Sequence, residues 1–69
     1  MSSNSYPLVK AQAMALFTSF PEDVDGAISW INCCQEAVKQ LSWYQGREAH
    51  QWKQDLISMY QVVKEHYMI

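Results

Sequence analysis

From Gly46 to Ile69 the apolar residues Ala49, Trp52, Leu56, Met59, Tyr60, Val63 and Tyr67 step by threes and fours, with one adjacent pair. At 3.6 residues per turn, that spacing puts all seven on one stripe of an α-helix. A strand would need strict alternation, which Lys53, Gln54, Asp55 and Gln61 break. The pattern predicts a helix over about 46–67 that ends only where the chain does. Around Leu56 as centre, His50, Lys53 and Lys64 fall on one border of the stripe, and Glu48, Asp55 and His66 on the other. Charged borders of this kind steer packing against a neighbour, each exposed pair contributing about 0.2–0.5 kcal/mol.

Two further stripes precede it. Val9, Ala13, Leu16, Phe17 and Phe20 share a helical face with Tyr6 above them, and Ala11, Ala13 and Ala15 add helix propensity. Pro7 suits a first helical turn, with Ser5 or Tyr6 as cap. Pro21 disfavours helical geometry at Phe20, so this helix is expected over about 7–19. Val24, Ala27, Ile28, Ile31, Cys34, Val38 and Leu41 form the stripe of a second helix over about 24–42, widened on one side by Trp30 and Ala37. So broad an arc suits a helix contacted on two sides, the middle member of a bundle.

The two connections are read less sharply. Before the second helix, Asp23 and Asp25 each suit an N-cap, and Ser19 with Glu22 offers a capping box one turn earlier. Between the second and third helices the break falls somewhere in 42–46. Gly46 either ends helix two in a left-handed conformation after Gln45, or lies inside a helix capped by Ser42. The architecture predicted is all-α: one domain over 1–69 built as a small three-helix bundle, with residues 1–5 frayed.

Composition adds a constraint. Three Trp, four Tyr and two Phe among 69 residues, with 49% of positions hydrophobic, argue for a packed core over disorder. A chain this short sits near the lower limit for folding alone. It also carries more apolar side chains than three short helices can shelter. Leu8 and Met14 fall off the core face of helix one, and Ile57, Val62, Met68 and Ile69 fall off that of helix three. Such residues predict a contact surface, covered by a larger protein or by a second copy.

Charge and cysteines exclude several classes. A formal charge of −2 with no block of like sign leaves no footprint for phosphate backbones or anionic lipid. No stretch approaches the roughly 18 apolar residues of a membrane span, and no basic segment precedes Leu8 as in a signal peptide. Cys33 and Cys34 are adjacent and form no disulfide framework, which points to a reducing, cytoplasmic setting. Zinc needs four converging ligands in paired spacings, whereas the only histidines, His50 and His66, stand sixteen positions apart, so no metal or other cofactor is expected. Glu48 with His50, Asp55 with His66, and Cys33 are the titratable groups a catalyst would draw on. No nucleophile elbow, phosphate loop or metal-binding helix motif organises them, so no catalytic residue is assigned.

Three short helices also admit a helix-turn-helix, with Arg47, His50, Gln51, Lys53 and Gln54 of helix three facing a groove of DNA. Net acidity and the bulky Trp43 and Tyr44 before that helix weigh against it, and it stands as the alternative. The leading expectation is a non-catalytic protein–protein interaction module: a small adaptor, accessory subunit or inhibitor, acting on a larger partner or as a homodimer. The residues assigned to partner binding are Leu8, Met14, Trp43, Tyr44, Lys53, Ile57, Val62, Lys64 and Ile69. Trp43 has two readings, a plug in the core at the hinge or an exposed aromatic anchor.

Overall fold

Asp23 decides where the second helix begins. Its backbone is extended, and its side-chain oxygen accepts a hydrogen bond from the Gly26 N–H at 2.7 Å, meeting one of the donors a helix start leaves without an internal partner. In this computed structural model, which describes residues 6–69, the helices are α1 (Tyr6–Thr18), α2 (Val24–Leu41) and α3 (Arg47–Tyr67). Each boundary lies within one residue of the expectation from the hydrophobic pattern, and no β-structure occurs among the described residues. The fold is a small all-α three-helix bundle. Ser5, one of the two caps considered for α1, and the expected fraying of 1–5 lie outside the described residues.

Of the registers open for the first connection, Asp23 is the cap adopted, and Asp25 sits in the first turn of α2 near the positive end of its dipole. The turn at 42–46 follows neither expected form. Helix α2 stops at Leu41, and its last carbonyls are met by short bonds: Ser42 N–H to Val38 and Lys39, Trp43 N–H to Gln40, and Tyr44 N–H to Leu41. Gly46 then takes φ 120° and ψ 163° as the N-cap of α3, with its carbonyl accepting from the His50 N–H. Only glycine occupies that backbone region without strain. The chain therefore reverses on Gly46 itself.

The third helix, too, differs from expectation at its end. Met68 adopts a left-handed conformation, its N–H reaching the Glu65 carbonyl while the Ile69 N–H reaches that of Lys64 at 2.9 Å. This paired pattern is a Schellman closure. Helix α3 is thus terminated by a specific backbone motif.

The core is built from Val9 and Ala13 of α1, Trp30, Ile31, Cys34, Ala37 and Leu41 of α2, and Ala49 and Leu56 of α3. Helix α2 packs against both neighbours, while α1 and α3 touch each other far less, so α2 is the central member. Every residue of the predicted α3 stripe is buried or half-buried. On α2 the arc is rotated from expectation. Trp30 and Ala37, placed at its side, are buried, whereas Val24 and Ile28, placed in the main stripe, are exposed. The reason is α1, which draws the buried arc toward itself. The Trp30 indole N–H donates to the Leu16 carbonyl at 3.3 Å, partnering one of the four orphan acceptors at the end of α1. Phe20, assigned to the core face of helix one, is exposed as well. Helix α1 has ended at Thr18 ahead of Pro21, so Phe20 no longer follows the helical face, although its ring still meets Trp30 at a centroid distance of 5.8 Å.

Candidate interaction surface

The exposed apolar side chains fall mainly at one end of the bundle. Consecutive helices run antiparallel, so the α1–α2 turn lies beside the close of α3, and the Tyr67 hydroxyl donates across to the Pro21 carbonyl at 3.3 Å. Phe20, Val24 and Ile28 are exposed on the turn side, and Val62, Met68 and Ile69 on the α3 side. Phe20 and Val62 are 58% and 66% exposed and border one open groove of about 480 Å³. Its lining comes from Phe20 and Pro21 on the turn, and from Met59, Val62, Val63 and Tyr67 on α3, with Ser58 and His66 adding polar edges. Valine and phenylalanine left this wet forgo about 25 cal/mol for every Å² of apolar area a neighbour would cover.

A larger hollow of about 710 Å³ runs between α1 and α2 over Leu16, Trp30 and Ala37. Gln12, Ser19, Asn32, Glu36 and Gln40 rim it, and none of the large exposed apolar side chains lines it. Volume alone does not mark the better surface. The smaller groove carries two of the unsheltered apolar groups, Phe20 and Val62.

The opposite end is closed differently. Glu48, in the first turn of α3, accepts the Tyr6 hydroxyl at 2.8 Å and the Lys10 ammonium at 2.9 Å, one on each carboxylate oxygen. These bonds hold the start of α1 to the start of α3. The Lys10 and Tyr6 hydrogen bonds keep the Glu48 carboxyl below the usual range, and desolvation followed by the Glu48 contact pushes the Tyr6 phenol up. The Tyr44 ring meets that of Tyr6 at 5.1 Å, tilted by 55°, and packs against the core. Trp43 beside it is 72% exposed, which removes it from the core.

The residues assigned to partner binding are therefore spread over the molecule. Val62 and Ile69 lie at the apolar end; Leu8, Trp43 and Tyr44 lie at the clamped end; and Met14 is exposed on the outer face of α1. Lys53, Ile57 and Lys64 are half-buried along one flank of α3. The sequence reading missed Phe20, Val24 and Ile28 because they match helical stripes. The signal available was the run Phe20-Pro21-Glu22-Asp23, in which a helix stop and two acids bracket the aromatic.

The titratable groups are dispersed. Among the described residues no group of three or more His, Cys, Asp or Glu side chains is placed to hold a metal ion. Cys34 sits in the core as a small side chain, and burial, with Cys33 beside it, pushes its thiol up to about 12, out of the reactive range. Cys33 is exposed, and both cysteines are free. His50 and His66 are exposed on different turns of α3, His66 meeting the Tyr67 ring edge-on at 4.8 Å. Arg47, His50, Gln51 and Gln54 are exposed on the first half of α3, where Gln51 donates to Asp55 at 3.0 Å. No described helix is long and apolar enough to cross a membrane. No protein-family model, curated protein or solved structure matches the chain.

Proposed function

We propose that this protein is a non-catalytic interaction module, a small adaptor, accessory subunit or inhibitor that works by occupying a surface of a larger protein. The observation that carries the reading is the open apolar groove bordered by the exposed Phe20 and Val62, at the end of the bundle where Val24, Ile28, Met68 and Ile69 are exposed as well. Monomers rarely leave a contiguous apolar patch larger than a few hundred Å² exposed unless it is used. A second copy bound through the same end is the homodimeric form of this reading, because a two-fold interface needs only one self-complementary patch. The two free cysteines, one of them exposed, suit a reducing, cytoplasmic setting.

The test is affinity capture from cells that produce the protein, run beside sedimentation of the purified chain over a wide concentration range. Phe20→Ser with Val62→Ser is compared with wild type and with Trp43→Ala. The double variant should lose the captured partner, or the dimer, while Trp43→Ala retains it. Retention by the double variant, with its helical signal intact, rejects this surface.

A further inference from the structure

The apolar end is also where the protein keeps its negative charge. In 20–30 and 58–69 the charged residues are Glu22, Asp23, Asp25 and Glu65 against Lys64 alone. The remainder carries Lys10, Lys39, Arg47 and Lys53 against Glu36, Glu48 and Asp55, a slight excess of positive charge. Among the described residues the ion pair formed is Lys10–Glu48, at the opposite end, so no lysine or arginine neutralises the carboxylates beside the groove. Asp23 spends one oxygen on the Gly26 N–H. Glu22 and Asp25 are exposed, and Glu22 follows directly on Phe20 and Pro21, which line the groove.

Resting on the contact-surface reading above, we infer that the groove between the α1–α2 turn and the close of α3 receives a basic amphipathic segment of a protein partner, apolar side chains seated between Phe20 and Val62 and Lys or Arg set against Glu22 and Asp25. An apolar floor gives such a segment its affinity, and carboxylates at the rim set its orientation, its association rate and its salt dependence. Helical ligands commonly enter grooves in this way, reading out anchors at i, i+3, i+4 and i+7. A second copy presents the same acids to the same acids across a two-fold axis, so charge disfavours self-association through this end.

The probes are three fluorescein-labelled 18-residue peptides with leucine at i, i+3, i+4 and i+7. Their remaining positions are mainly lysine in one, glutamine in the second and glutamate in the third. Anisotropy titrations use the whole chain as wild type, Val62→Ser, E22Q/D25N and the control E36K, which shifts the charge by the same amount at the rim of the α1–α2 hollow. The lysine peptide should bind wild type at least about tenfold more tightly than the others and weaken as salt rises. Val62→Ser should weaken it about tenfold, E22Q/D25N about fivefold, and E36K less than about twofold. Circular dichroism confirms that each variant is folded. Equal binding of all three peptides, with loss in Val62→Ser, overturns the charge inference and leaves the contact surface standing. Equal losses in E22Q/D25N and E36K show attraction to net charge only and overturn it too. Binding by none of the peptides also overturns it, while the capture experiment decides the contact surface separately.

Discussion

At the end where the α2–α3 turn meets the start of α1, Glu48 takes a hydrogen bond from Tyr6 and another from Lys10, and the Tyr6 ring meets that of Tyr44. At the other end the Tyr67 hydroxyl donates to the Pro21 carbonyl, joining the α1–α2 turn to α3, and six apolar side chains are left exposed. One end fastens its helices to each other with polar groups whose partners lie within the chain. The other holds apolar surface that nothing among the described residues covers. Folding explains the first arrangement and gives no reason for the second, because leaving apolar area wet gains the fold nothing. The contrast sets polar groups that fasten the fold against apolar groups for which folding gives no reason.

Substitutions that should move stability most lie on the fold side of this contrast. Leu41→Ala removes a fully buried side chain close to the clamped end and should cost about 2–5 kcal/mol in urea unfolding. Gly46→Ala should cost about 1–3 kcal/mol: φ of 120° strains any residue with a Cβ, even though no neighbouring atom would be struck. Asp23→Ala removes the cap of α2 and should cost about 1 kcal/mol, read from the same curves.

The clamp is best tested by pH. Glu48 titrates below its unfolded value in the folded chain, so its contribution is complete above about pH 4.5 and is lost as pH falls through the lower folded value. Tyr6 titrates above its unfolded value, so its contribution is complete below about pH 10 and is lost as pH rises through the higher folded value. Thermal melts of wild type should therefore weaken at both extremes, and Glu48→Gln should flatten the acid limb. An unchanged acid limb would mean that the clamp does not contribute to folding. Smallest of all should be the stability effect of Val62→Ser, within about 0.5 kcal/mol, with Phe20→Ser at about 1 kcal/mol because its ring meets Trp30, although the same two changes should abolish association. If they destabilised as Leu41→Ala does, the two ends would not differ in the way described.

Much of the fold was legible because it rests on period and punctuation. The α3 stripe alone identified every side chain that helix buries or half-buries against the core, and Pro21 and the acids after it marked the first connection. What was not legible depended on neighbours. A wheel drawn for α2 alone centres its arc on Ile31, but α1 rotates the buried arc to Trp30 and Ala37, and that rotation wets Val24 and Ile28. Similarly, nothing local to Gly46 distinguishes a helix C-terminus from an N-cap at φ 120°. Of the exposed apolar groups at this end, those on α3, Val62 and Ile69 among them, were legible as off-stripe, whereas Phe20, Val24 and Ile28 have a spacing that imitates a core. Glu48 was visible as a border charge, whereas its clamp with Tyr6 and Lys10 spans more than thirty positions of sequence and has no local signature.

The claim that the two ends serve different purposes is tested most directly by site-specific photo-crosslinking in producing cells, with p-benzoylphenylalanine at position 62 or at position 43. A discrete protein adduct from position 62, absent from position 43, is the predicted result. An adduct from position 43 alone, or the same background from both, would contradict it.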